Sequence, residues 1–69
     1  MKASEAALLL PQMVVMRDGD PNDRGVVVAN YPGSACHPGM VYIEWKDGRR
    51  GWHFHVQMER ISIAPKEEP

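Results

Sequence analysis

Val41-Tyr42-Ile43-Glu44-Trp45-Lys46-Asp47-Gly48-Arg49-Arg50-Gly51-Trp52-His53-Phe54-His55-Val56 is the stretch that decides the fold class of this 69-residue chain. Two alternating runs rich in β-branched and aromatic residues flank an Asp-Gly pair, a strong local signal for a β-hairpin. Both residues tolerate positive φ, so a two-residue type I′ turn at Asp47-Gly48 is the expected connection. In that register Lys46 faces Arg49, Ile43 faces Trp52, and Val41 faces Phe54. The two-residue period then predicts a core face of Val41, Ile43, Trp45, Trp52, Phe54 and Val56. Tyr42, Glu44, Lys46, Arg49, His53 and His55 fall on the wet face. On this reading Trp52→Ala removes a core side chain and costs about 3–5 kcal/mol.

Outward from the hairpin, the chain reads as a series of short strands. Met13 to Arg17 and Val26 to Tyr31 are strand-like, separated by a loop from Asp18 to Gly25 dense in turn formers. A second Gly/Pro loop, Pro32 to Gly39, leads into the hairpin. Gln57-Met58-Glu59-Arg60 suits a single 3₁₀ turn, and Ile61-Ser62-Ile63 is a final strand. Residues 1–11 form an N-terminal arm. Ser4 is placed to cap a short helix, and Pro11 ends it. So short a helix is unstable alone, and its leucines must dock or fray. The chain thus divides into the arm (1–11), a β domain (12–63) and a charged, proline-bounded tail (64–69). The expected fold is all-β: a small five-stranded barrel, which hides strand edges and buries half-apolar faces.

The strand order, and the 3₁₀ turn before the last strand, resemble the SH3-like barrel. The ending Trp52-His53-Phe54-His55-Val56-Gln57-Met58-Glu59-Arg60-Ile61 further resembles the tail of the plasmid-borne, trimethoprim-resistant dihydrofolate reductases. These are SH3-like barrels assembled as a tetramer around one pore. The Glu-Arg-Ile close matches at Glu59, Arg60 and Ile61. The family's Val-Gln-Ile-Tyr motif, which binds substrate and cofactor, falls on Trp52, His53, Phe54 and His55, and none of these matches. The resemblance therefore implies the fold and carries over no site.

Composition narrows the function classes. A net charge of −1, from 8 Lys and Arg against 9 Asp and Glu, is unlike that of a general nucleic-acid binder. The apolar run from Ala6 to Leu10 is far too short to span a membrane and too interrupted for a signal peptide. One cysteine, Cys36, excludes an internal disulfide. A cytoplasmic protein is the expectation. Chains this short bury only about 60% of their unfolded surface, and self-association is a common support, so Leu8, Leu9, Leu10 and Met13 suggest a homo-oligomer.

No catalytic constellation is legible. His53 and His55 share a strand face, and with Cys36 and His37 nearby a metal site is conceivable. Yet no spacing matches a zinc motif, so the expectation is no metal and no cofactor. Asp18, Asp20 and Asn22 begin like a calcium loop, but Asp23 and Ala29 occupy its glycine and glutamate positions. Cys36 beside His37 lacks an orienting third group. What remains is a binding surface. Tyr31, Tyr42, Trp45, Lys46, Arg49, Arg50, His53 and His55 mix aromatic and basic side chains near the hairpin. Such a set suits a protein or peptide partner, or else single-stranded nucleic acid. The expected function is a non-catalytic binding or assembly module. The alternatives are a nucleic-acid-binding accessory protein and an oligomeric pore enzyme like the reductases.

Overall fold

A computed structural model describes residues 1–64. Five antiparallel strands form one sheet: β1 (Val14–Arg17), β2 (Asp20–Tyr31), β3 (Met40–Trp45), β4 (Arg50–Phe54) and β5 (Ile61–Ile63). Their spatial order is β4-β3-β2-β1-β5, so β4 and β5 are both edges. The all-β class, the short N-terminal helix α1 (Ala3–Ala6) and the 3₁₀ turn η1 (His55–Gln57) match the expectation. The barrel does not: β4 and β5 are not paired, and the sheet stays open. Most of the expected tail, residues 65–69, lies outside the described residues.

The first loop is much shorter than its composition suggests. Arg17 pairs with Asp20, and Asp18 (φ 55°) and Gly19 (φ 71°) between them adopt the positive angles of a type I′ turn. Here is the two-residue Asp-Gly hairpin expected at Asp47-Gly48. Strand β2 consequently begins six residues earlier than the run of valines implies, at Asp20.

Residues Asp47-Gly48 belong to a longer turn. The Trp45 amide donates to the Arg49 carbonyl at 2.7 Å, and the Gly48 amide donates to the Trp45 carbonyl at 2.9 Å. The loop is therefore Lys46-Asp47-Gly48, with only Gly48 at positive φ (+94°). This is the three-residue alternative, a tight turn closed by one left-handed glycine. Asp47 favours it by accepting from the Arg49 amide (3.0 Å) and Arg49 Nε (2.6 Å). Those contacts, the backbone amide first, hold the Asp47 carboxyl below its ordinary range.

One extra loop residue shifts β4 by one position and swaps its faces. Ile43 now pairs with Gly51, Val41 with His53, and Tyr42 with Trp52. Trp52 is 52% exposed and Phe54 and Val56 are also exposed, whereas His55 is buried. The expected faces of β4 are thus inverted, while Val41, Ile43 and Trp45 of β3 are buried as expected. Trp45, rather than Trp52, is the core tryptophan. Trp52→Ala should accordingly lower stability by no more than about 1 kcal/mol, read from the urea midpoint.

The arm covers the inner face of the sheet. Ala6 and Leu9 join Val15, Val27, Val41, Ile43, Trp45, Met58 and Ile61 in one core, with Met1 and Met13 against it. Leu8 and Leu10 remain exposed. Ser4 lies within the helix rather than at its start; Glu5 Oε1 accepts from the Lys2 amide at 3.1 Å instead.

Candidate functional site

Two constellations flank β4, and both follow from irregularities of the sheet. The first is an inner polar node. Val27 pairs with Ile43 and Ala29 with Tyr42, leaving Val28 as an extra residue in β2. Such a bulge resets the in–out alternation. Asn30 therefore turns toward the arm, on the same side as Val27, and pairs with Val41. Its Nδ2 donates to the carbonyls of Ala6 (3.0 Å), Ala7 (3.3 Å) and Leu9 (2.9 Å). With the amide oriented by those carbonyls, Asn30 Oδ1 must accept from His55 Nε2, 2.7 Å away. His55 therefore carries its proton on Nε2. Its ring covers Gly39, where any Cβ would collide with His55 Nδ1 and Cε1. The node fastens arm, sheet and 3₁₀ turn together and leaves His55 no access to a partner.

The second constellation lies at the hairpin end. Trp45 packs over Gly25, where a Cβ would come within 2.6 Å of Ile43 Cγ2 and 2.8 Å of Trp45 Cε3. The Arg17 guanidinium carbon sits 4.2 Å from the centre of the Trp45 ring, a cation–π contact. Trp45 Nε1 donates to His53 Nε2 at 3.2 Å. His53 must then be neutral, with its proton on Nδ1. Partial burial, reinforced by the Arg17 charge, pushes the His53 pKa below its ordinary value of 6.5. These side chains border a cleft of about 200 Å³ that opens beside Gly51.

A pH effect follows. The folded pKa of His53 is lower than the unfolded one, so above about 6.5 both states hold it neutral and nothing is lost. As the pH falls below that value the unfolded chain takes the proton first, and stability declines until the folded pKa is passed. We expect His53→Gln to flatten this decline between pH 7 and 5. Titration of the His53 ring resonance at or above 6.5 would contradict the assignment.

On the outer face, Trp52 stands edge-on to Tyr42, their ring centres 5.2 Å apart. Met40 pairs with Phe54 and with Tyr31, and Val26 with Glu44. Tyr31, Phe54, Val26 and Val28 are all exposed. A depression of about 610 Å³ extends the face past Val14, Val26, Val28, Glu44 and Lys46.

Of the surface residues expected from the sequence, Tyr31, Tyr42, Lys46, Arg49 and Arg50 lie on or beside this outer face and the hairpin tip. Trp45 and His55 do not: each is buried, Trp45 as the wall of the inner cleft and His55 in the polar node. His53 faces inward. Cys36 is exposed in the loop before β3, and no group of three His, Cys, Asp or Glu among the described residues stands close enough to hold an ion. Sequence reading passed over Trp52, Phe54 and Arg17. The two aromatics were assigned to the core by the turn register, and Arg17 carries no local signal of its distant ring contact.

No family model matches the chain, and neither does any solved structure. The DNA primase small subunit PriS of Methanospirillum hungatei JF-1 is 33% identical over 63 residues, which cover 83% of this chain and 16% of that protein. The chain thus corresponds to about one sixth of the length of that relative.

Proposed function

We propose that this domain is an open, SH3-like binding module without catalytic machinery, and that it recognises a protein or peptide through the outer face of β2, β3 and β4. The observation that carries this reading is the exposure of Trp52 (52%), Val28 (46%), Val26 (43%), Phe54 (40%) and Tyr31 (40%) on one sheet face. Apolar surface of that kind is costly to leave in water and marks interaction sites. Tryptophan and tyrosine supply the largest single contributions at protein interfaces. Away from the hairpin end, by contrast, the inner face is already covered by the chain's own arm.

Selection of phage-displayed random peptides on the immobilised domain tests this. Trp52→Ala and Phe54→Ala should keep the wild-type fold and weaken enriched peptides by at least about tenfold, the equivalent of 1.4 kcal/mol. Enriched peptides indifferent to both substitutions, or no enrichment at all, would refute the reading.

A second reading is contact with single-stranded nucleic acid. It is favoured by the likeness to a primase small subunit and by Lys46, Arg49 and Arg50 beside Trp52. Bases stack on exposed aromatic rings while basic residues meet phosphate. Affinity for an oligothymidylate that falls steeply with added salt would establish it. The net charge of −1 weighs the other way.

A further inference from the structure

We infer that β4 receives an extended, acidic segment of the partner as an antiparallel sixth strand; this rests on the peptide-binding reading above and adds its geometry and sequence preference. β4 is the end strand of the sheet. The His55 amide donates inward to the Gly39 carbonyl at 3.0 Å, and the Arg49 carbonyl accepts inward from Trp45. By the alternation of an antiparallel ladder, Gly51 and His53 also bond toward β3. The backbone N–H and C=O groups of Arg50, Trp52 and Phe54 therefore point away from the sheet. No proline or bulge interrupts this row, although natural edge strands are commonly blocked by such devices. The opposite edge, β5, spans only Ile61–Ile63.

Side-chain alternation specifies what the added strand must carry. Residues opposite Trp52 and Phe54 share the outer face, where apolar groups meet the two rings. The residue between those opposite Arg50 and Trp52 points to the inner side, next to Gly51. Nothing lies within 4 Å of the place a Gly51 Cβ would occupy, so this position opens onto the cleft bordered by Arg17, Trp45, Arg49 and His53. Arg49 is engaged by Asp47. Arg17 rests on the Trp45 ring and pairs with no carboxylate among the described residues. A carboxylate at the inner position would complete it, and a bulky apolar side chain there would desolvate Arg17 without compensation. The segment that fits thus alternates apolar and acidic residues.

The probe is a fluorescein-labelled peptide, Ser-Val-Glu-Val-Glu-Val-Ser, followed by fluorescence anisotropy against the full chain. Binding should protect the Trp52 amide from hydrogen exchange. Replacing both glutamates by glutamine should weaken binding by about tenfold, and Arg17→Gln should abolish the difference between the two peptides. N-methylation of each valine retains every side chain but removes the donors that face β4, and it should eliminate binding. Equal affinity of the methylated peptide would overturn strand addition while leaving outer-face recognition intact, provided that Trp52→Ala still weakens it. Failure of the parent peptide to bind would overturn this inference alone if the selected phage peptides still depend on Trp52, and both readings if they do not. Displacement of the peptide by oligothymidylate, with tighter and salt-sensitive binding of the latter, would replace both with the nucleic-acid reading.

Discussion

Asn30→Asp should destabilise the fold by about 2–4 kcal/mol at neutral pH, an effect large enough to unfold much of the population. The expectation rests on the polarity of one side chain. Asn30 Nδ2 satisfies the carbonyls of Ala6 and Leu9 at 3.0 and 2.9 Å, and Oδ1 accepts from His55. Aspartate is the same shape but, ionised, is acceptor-only. It would keep the His55 bond and turn a negative oxygen toward arm carbonyls that then lack a donor. Each polar group so stranded costs about 1–3 kcal/mol, and domains of this size have only about 3–10 kcal/mol in total. The deficit should shrink at low pH, where a protonated carboxyl regains one donor. Urea denaturation at two pH values measures both effects. A variant with the wild-type midpoint at neutral pH would show that the arm is held by its apolar contacts alone.

Gly25→Ala should be the other severe substitution, at about 1–3 kcal/mol. The glycine lies inside a strand, where no unusual φ requires it. Its role is to bring Trp45 close: an added methyl would meet Ile43 Cγ2 at 2.6 Å and the indole at 2.8 Å, both core atoms. Displacing Trp45 also strains its bond to His53 and its contact with Arg17. If overcrowding is the cause, Ile43→Ala in the same chain should cost less than the sum of the two single changes, because it vacates the contested space. Additive melting shifts would argue against the proposed overlap.

Both positions show how far local pattern carries. Alternation in Val41 to Trp45 correctly assigns the buried face of β3, since Val41, Ile43 and Trp45 alternate with more exposed neighbours. The same alternation in β4 is equally clear and assigns the wrong faces. A period of two distinguishes two sets of residues without saying which set is inside. The two Asp-Gly pairs differ in just this respect: Asp18-Gly19 makes a two-residue turn, while Asp47-Gly48 sits in a three-residue one. The two-residue turn therefore sends the exposed Trp52 and Phe54 to the core face, and the inward-facing His53 and His55 to the wet one.

By itself, then, the sequence determined the strand content, the short N-terminal helix, the turn before the last strand and the gathering of basic and aromatic residues near one hairpin. Those properties depend on residues close together along the chain. Tertiary structure alone decided the register of β4, the bulge that turns Asn30 inward, and the failure of the sheet to close. Each depends on contacts between distant segments: Trp45 over Gly25, Arg17 on Trp45, and Asn30 joining His55 to the arm. A one-residue choice of turn differs little in local energy, so the packing of the whole core selects it, and with it which side chains of β4 face outward.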